Sequence, residues 1–152
     1  MPTMNKNSRA LVLLNIFTLC AIIAGVSIFF VYESRLIGFV FVVLALLSLG
    51  SLRLFDVKIA STGPDIVFGL IDNGILAVMA VIGGHIAGVA GAIIGGVVGN
   101  AITDGIAGVF EGYWAEKMVS DKRTILGSAV GKMAGCLLGA GAVLIVSGLL
   151  WA

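Results

Sequence analysis

Long apolar segments separated by short polar stretches dominate the hydropathy pattern of this chain. A helix needs about 20 consecutive apolar residues to cross the hydrocarbon core of a membrane. Five segments approach or exceed that length, so we predict an all-α fold with one transmembrane domain over residues 1–152. The five predicted membrane-spanning helices cover residues 10–32, 36–54, 65–84, 88–115 and 124–151.

Two connectors between the predicted spans carry the clearest turn chemistry. The polar stretch after span two ends in Gly63 and Pro64, and proline suits the first turn of the helix that follows. Spans three and four meet at a glycine-rich corner, which we predict at Gly83, Gly84 and His85. At this position His85 is more typical of a solvated loop residue than of a metal ligand.

The positions of lysine and arginine predict how the spans are oriented. Short cytoplasmic loops of membrane proteins carry an excess of these residues, which here places the N-terminus in the cytoplasm and the C-terminus outside. Arg35 alone falls on the outer side, and Lys132 falls within span five. The residues predicted on the cytoplasmic side are Lys6, Arg9, Arg53, Lys58, Lys117, Lys122 and Arg123.

Composition supports a membrane protein and excludes several other classes. Of the 152 residues, 60% are hydrophobic and 11% are charged, which leaves too little polar surface to cover a soluble core. A net charge of +1 gives no indication of nucleic-acid binding. Because no Ser/His/Asp set or Cys/His cluster occurs, we predict no enzymatic activity and no cofactor. Cys20 and Cys136 lie in apolar segments and are interpreted as buried small hydrophobic residues.

Glycines recur at every fourth position along two of the predicted spans. Such rows allow helix backbones to approach closely, which predicts glycine-zipper packing. Two partners stay open: spans four and five pack against each other within the chain, or a row forms the interface of a homodimer. The rows are Gly91, Gly95 and Gly99 in span four, and Gly127, Gly131, Gly135 and Gly139 in span five.

Ionisable residues occur inside the predicted spans, where each costs roughly 2.5–3.5 kcal/mol on insertion scales. With a helical rise of about 1.5 Å per residue, Asp72 lies about 10 Å from the cytoplasmic end of its span, Asp104 about 16 Å, Glu111 about 6 Å and Lys132 about 13 Å. All four residues therefore fall in one layer of the inner half of the membrane. The spacing of Asn100, Asp104 and Glu111 keeps them on one face of span four.

This polar layer has two interpretations. Carboxylates with amide oxygens suit divalent cations, and a desolvated carboxylate suits proton exchange. In the alternative, Lys132 forms a neutral, structural ion pair with Asp72 or with Asp104. The candidate metal-binding residues are Asp72, Asn73, Asn100, Asp104 and Glu111.

Over residues 66–117 and the positions just before them, the sequence resembles the vacuolar iron transporter family. The run D-I-V-F-G from Asp65 and the run D-N-G from Asp72 are similar to the opening of that family's first span. The run E-G-Y from Glu111 is similar to the Gly-Glu-Tyr that closes its second span. The resemblance implies export of Fe²⁺ or Mn²⁺ from the cytosol, coupled to protons.

We therefore predict a small transporter or channel for a divalent cation such as Fe²⁺ or Mn²⁺, with the metal as substrate. The protein is expected in a prokaryotic cell membrane, with the lipid bilayer and further copies of itself as partners, a dimer being favoured. The alternative is an accessory or scaffold subunit of a larger membrane complex, with a structural Asp–Lys polar core.

Overall fold

Apolar helices account for nearly all of the chain that the structure describes. The computed structural model covers residues 6–30, 36–117 and 124–150, without the side chains of residues 6, 7, 107, 108 and 110–117. Within these ranges the chain is helical and has no β-strand. Two 3-10 turns, Leu52–Phe55 and Ile59–Thr62, connect α2 to α3. The helices are α1 (Lys6–Phe30), α2 (Ile37–Ser51), α3 (Gly63–Lys117) and α4 (Ile125–Leu150).

In the part of the chain that the structure describes, four helical stretches are long and apolar enough to cross a membrane, which confirms the all-α, membrane-spanning class of fold. They are Ser8–Phe30, Ile37–Phe55, Ile59–Ile106 and Ile125–Leu150. The predicted helix start after Gly63 is also confirmed, because α3 begins there with Pro64 in its first turn.

Helix α3 is a hairpin, because its backbone leaves helical geometry at Ala87 and Gly88. Gly88 has a φ of +58°, in the left-handed region that glycine adopts at low cost. We call residues 63–86 the first arm and residues 89–117 the second arm. The predicted corner at Gly83, Gly84 and His85 is therefore wrong by a few residues. Gly83 serves packing instead, because a methyl group there would collide with the carbonyl oxygen of Gly91.

The first arm packs between α4 and the second arm. A side chain at Gly135 of α4 would collide with the carbonyl oxygen of Ile66. On the opposite flank, a side chain at Gly95 would collide with the carbonyl oxygen of Met79. Both predicted glycine rows therefore face the first arm, which corrects the expectation that they pack against each other. Because they are buried within the chain, they are not available as a homodimer interface.

The other side of α4 is covered by α2 and the start of α1. Leu44 and Ala45 of α2 form a buried cluster with Ala134 and Leu137 of α4. A second cluster joins Val12 of α1 with Leu52, Leu126 and Val130. Helix α4 is thus the central element, with α1 and α2 on one side and the hairpin on the other.

Candidate functional site

A hydrogen-bonded group of polar side chains lies where both arms of α3 meet α4. The Thr103 hydroxyl on the second arm donates to Asp72 Oδ1 on the first arm. Asn73 Nδ2 donates to Asp72 Oδ2 at 3.2 Å and contacts Cys136 Sγ of α4 at 2.7 Å. We call Asp72, Asn73, Thr103 and Cys136 the Asp72 cluster. Three helical segments therefore contribute a carboxylate, an amide, a hydroxyl and a thiol to one layer.

Thr103 reaches Asp72 because it continues the glycine row of the second arm. Gly95 and Gly99 face the first arm, and Thr103 occupies the next position on the same face at 1% exposure. Its hydroxyl also lies 3.1 Å from the carbonyl oxygen of Gly99 and 3.0 Å from that of Asn100. One hydroxyl has one proton to donate, so an ionised Asp72 competes for it with the helix backbone.

Asp104 lies on the opposite, outer face of the second arm. Its Oδ2 accepts a hydrogen bond from Asn100 Nδ2 at 2.9 Å, so these two residues share a face as predicted. One step along a helix turns a side chain by about 100°. Asp104 is therefore exposed in the single chain, whereas its neighbour Thr103 is buried. The structure joins Thr103, and not Asp104, to Asp72 through a hydrogen bond.

Two further predicted residues lie near this layer. Lys132 Nζ of α4 lies 4.4 Å from the ring centroid of Phe68, in cation–π geometry. Phe68 precedes Asp72 by one helical turn on the first arm. The pairing of Lys132 with Asp72 or Asp104 stays a prediction. Glu111 belongs to the second arm, and its side chain lies outside the described residues.

A second carboxylate is buried at the start of α3, which sequence reasoning did not assign to a site. Asp65 is 2% exposed, and it accepts a hydrogen bond from Ser128 Oγ of α4 at 2.9 Å. Gly131 makes room for it, because a Cβ at that position would lie 2.9 Å from the Asp65 Cβ. Asp65 precedes Asp72 by seven residues, the spacing that places two side chains on one helix face. That spacing was the available signal.

The described part of the chain offers few side chains for the predicted metal site. No group of three or more His, Cys, Asp or Glu side chains converges there on a point that could hold a metal ion. Asp72 and Cys136 contact the same Asn73 amide, so they supply two such side chains. Both cysteines are free, and Cys20 is exposed, which corrects its predicted burial. Cys136 is half-buried, and its hydrogen bond with Asn73 corrects its interpretation as a purely hydrophobic residue.

Comparisons with protein-family models, curated proteins and solved structures found no match to this chain. The fold and the polar cluster therefore identify only the general class of this protein. It is an all-helical protein of membrane-spanning type, with a polar cluster where three helical segments meet. The resemblance to the vacuolar iron transporter family stays a prediction.

Proposed function

We propose that this chain is a five-span integral protein of a prokaryotic cell membrane that transports or conducts a divalent cation such as Fe²⁺ or Mn²⁺. The hairpin supports the span number. The apolar stretch Ile59–Ile106 has 48 residues, about twice the length that one crossing needs, and it reverses near its middle. Each arm of α3 then crosses once, with glycine-zipper packing on both flanks of the first arm and the N-terminus in the cytoplasm.

The Asp72 cluster is the observation that carries the proposed transport. A carboxylate within a span costs roughly 2.5–3.5 kcal/mol on insertion scales and usually marks an ion path or a buried pair. Here the carboxylate has a hydroxyl and an amide as hydrogen-bond donors and a thiol close by. A divalent cation that displaces those donors would meet carboxylate, amide and hydroxyl oxygens, the ligands suited to Mn²⁺ and Fe²⁺.

The outer face of the second arm supports a homo-oligomer. Asp104 and Asn100 form a polar pair among exposed apolar residues, including Val97 at 65% and Ile93 at 62% exposure. A carboxylate in contact with lipid is costly. Two copies related by a twofold axis would place the Asn100 amide of each copy beside the Asp104 carboxylate of the other. This arrangement removes both residues from lipid without using the buried glycine rows.

Metal uptake into vesicles tests the proposal. Purified chain is reconstituted around a metal-sensitive dye, and uptake of Mn²⁺ and Fe²⁺ is compared for the unaltered chain, Asp72→Asn and Asp56→Asn. Asp56 lies exposed in the connector, so its variant controls for lost charge. We expect uptake by the unaltered chain and by Asp56→Asn, and at least about tenfold slower uptake by Asp72→Asn. Equal rates for a folded Asp72→Asn chain would remove Asp72 from the path.

One observation favours a second function, that of an accessory or scaffold subunit in a larger membrane complex. The described side chains include no three-residue metal-ligand group, and both oxygens of Asp72 already accept hydrogen bonds. A satisfied polar cluster of this kind also specifies how helices pack. Under this alternative, folded chain shows no uptake of either metal, and another membrane protein co-purifies with it in fixed stoichiometry.

A further inference from the structure

A groove of about 260 Å³ lies at the end of the bundle where α1 and α4 begin. Phe55 of the first 3-10 turn and Val57, which follows it in the connector, close one side of it. Its walls are mainly apolar, and its two hydroxyl-bearing residues are Ser8 and Thr124. We call it the N-terminal groove. Its apolar walls are formed by Leu11, Val12, Phe55, Val57, Ile125 and Leu126.

The groove lies at the level where apolar spans give way to polar connectors. One apolar stretch begins at Ser8, another ends at Phe55, and a third begins at Ile125. All three residues line the groove. In a membrane this level is the boundary between hydrocarbon and headgroups. An occupant therefore meets apolar walls on the hydrocarbon side and water or headgroups at the mouth.

Among the described residues, basic residues predominate at the positions next in sequence to those that line the groove. Arg9 directly follows Ser8, Lys58 directly follows Val57, and Arg53 lies in the same 3-10 turn as Phe55; all three basic residues are exposed. Asp56 is the exposed acidic residue beside them. The first turns of α1 and α4 add partial positive charge from their backbone N–H groups. The mouth therefore favours an anionic group.

We propose that the N-terminal groove binds an anionic phospholipid, with part of one acyl chain along the apolar walls and the phosphate near Arg9 and Lys58. The volume suits a segment of one chain and is too small for a packed helix. Clusters of basic residues next to membrane spans are a recognised means of binding anionic headgroups. This site is separate from the Asp72 cluster, so the proposal does not depend on cation transport.

Lipid binding by the purified full-length chain tests the proposal. Retention of dioleoyl phosphatidylglycerol and of dioleoyl phosphatidylcholine is compared by native mass spectrometry after delipidation. We expect phosphatidylglycerol to bind about tenfold more tightly, because Arg9 and Lys58 each lie next in sequence to a residue that lines the groove and attract its charge. The double variant Arg9→Gln/Lys58→Gln should lose that preference, whereas Asp56→Asn should keep or increase it. Ser8→Trp, which fills the groove from an exposed position, should weaken binding of both lipids.

Three outcomes overturn the proposal. Equal binding of the two lipids by the unaltered chain excludes an anionic-lipid site. An unchanged preference in the double variant places the site elsewhere. Loss of a dimer in Ser8→Trp without a change in lipid retention identifies a second copy of the chain as the occupant. Because the charge variants replace exposed residues, their helicity by circular dichroism should match that of the unaltered chain.

Discussion

The two faces of the second arm of α3 differ in environment although they lie at the same height. The inner face carries Gly95, Gly99 and Thr103 and lies against the first arm, where Thr103 donates a hydrogen bond to Asp72. The outer face carries Asn100 and Asp104, which bond to each other on the surface of the single chain. A difference of one position along the helix separates Thr103, in the Asp72 cluster, from Asp104 on the exposed outer face.

This difference shows that depth and direction are separate properties of a residue in a membrane helix. Depth follows from counting residues, and it placed Asp72 and Asp104 in nearby layers. Direction depends on how far each helix is rotated about its own axis. In this hairpin the rotation is set by the small residues, because glycines such as Gly91, Gly95 and Gly99 permit the close approach of the two arms.

The largest effect is expected when a large side chain is introduced on the inner face of the second arm. Gly95→Leu would force the arms apart, because even a methyl group there collides with the carbonyl oxygen of Met79. We expect a loss of about 3 kcal/mol or more in the free energy of unfolding, at the upper end for overpacking. Val97→Leu, on the exposed outer face, should change it by less than about 1 kcal/mol. Titration with a denaturing detergent measures both, and equal losses would contradict the difference between the faces.

The next largest effect is a difference in metal uptake between variants of Asp72 and Asp104. We expect Asp72→Asn to slow metal uptake by at least about tenfold, or ~1.4 kcal/mol in activation free energy. Asp104→Asn should slow it by less than about threefold, because Asp104 lies outside the Asp72 cluster. Uptake is measured per folded chain in the same vesicles. Equal slowing in both variants would place Asp104 in the cation path. It would also indicate that a second copy of the chain contributes to that path.

Removal of the Thr103 hydroxyl should have a moderate effect. Thr103→Val keeps the shape of the side chain but removes a hydrogen bond to Asp72, and such bonds between membrane helices contribute about 0.6–1.7 kcal/mol. We expect a loss of that size in the free energy of unfolding, together with slower uptake. Thr103→Ser, which retains the hydroxyl, is the matched control. If Thr103→Ser and Thr103→Val behave alike, the hydroxyl does not hold Asp72.

The smallest effect per chain is expected at the outer face. Asn100→Leu removes the amide that donates a hydrogen bond to Asp104 within the chain. In the proposed dimer the same amide also lies beside Asp104 of the second copy. We expect the dissociation constant of the homo-oligomer to rise about eightfold, because a dimer loses two symmetry-related contacts of about 0.6 kcal/mol each. Ile94→Leu, at an exposed apolar position, is the control. Analytical ultracentrifugation in detergent measures both constants, and an unchanged constant for Asn100→Leu would exclude this face as the interface.

Several features of the candidate site could be predicted from the sequence, and others could not. The shared face of Asn100 and Asp104 followed from their spacing, because helical periodicity relates residues within one helix. The contacts of Thr103 and Cys136 within the Asp72 cluster were not predicted, because nothing in the spacing of one helix shows which residue of another helix lies opposite. The signal for Thr103 was its place at the end of the glycine row. Asp65 was missed because its burial depends on space that Gly131 leaves on a different helix.

The sequence alone was sufficient to predict the helical class, the apolar stretches long enough to cross a membrane, the start of α3 and the presence of a hairpin with carboxylates at comparable depth. These features depend on local composition and helical periodicity, which are written along a single segment. Three-dimensional contacts were needed to show that the chain reverses at Gly88, that both glycine rows face the first arm, and that Thr103 rather than Asp104 contacts Asp72. Those features depend on the rotation of each helix about its axis, which is set by contacts between residues far apart in the chain.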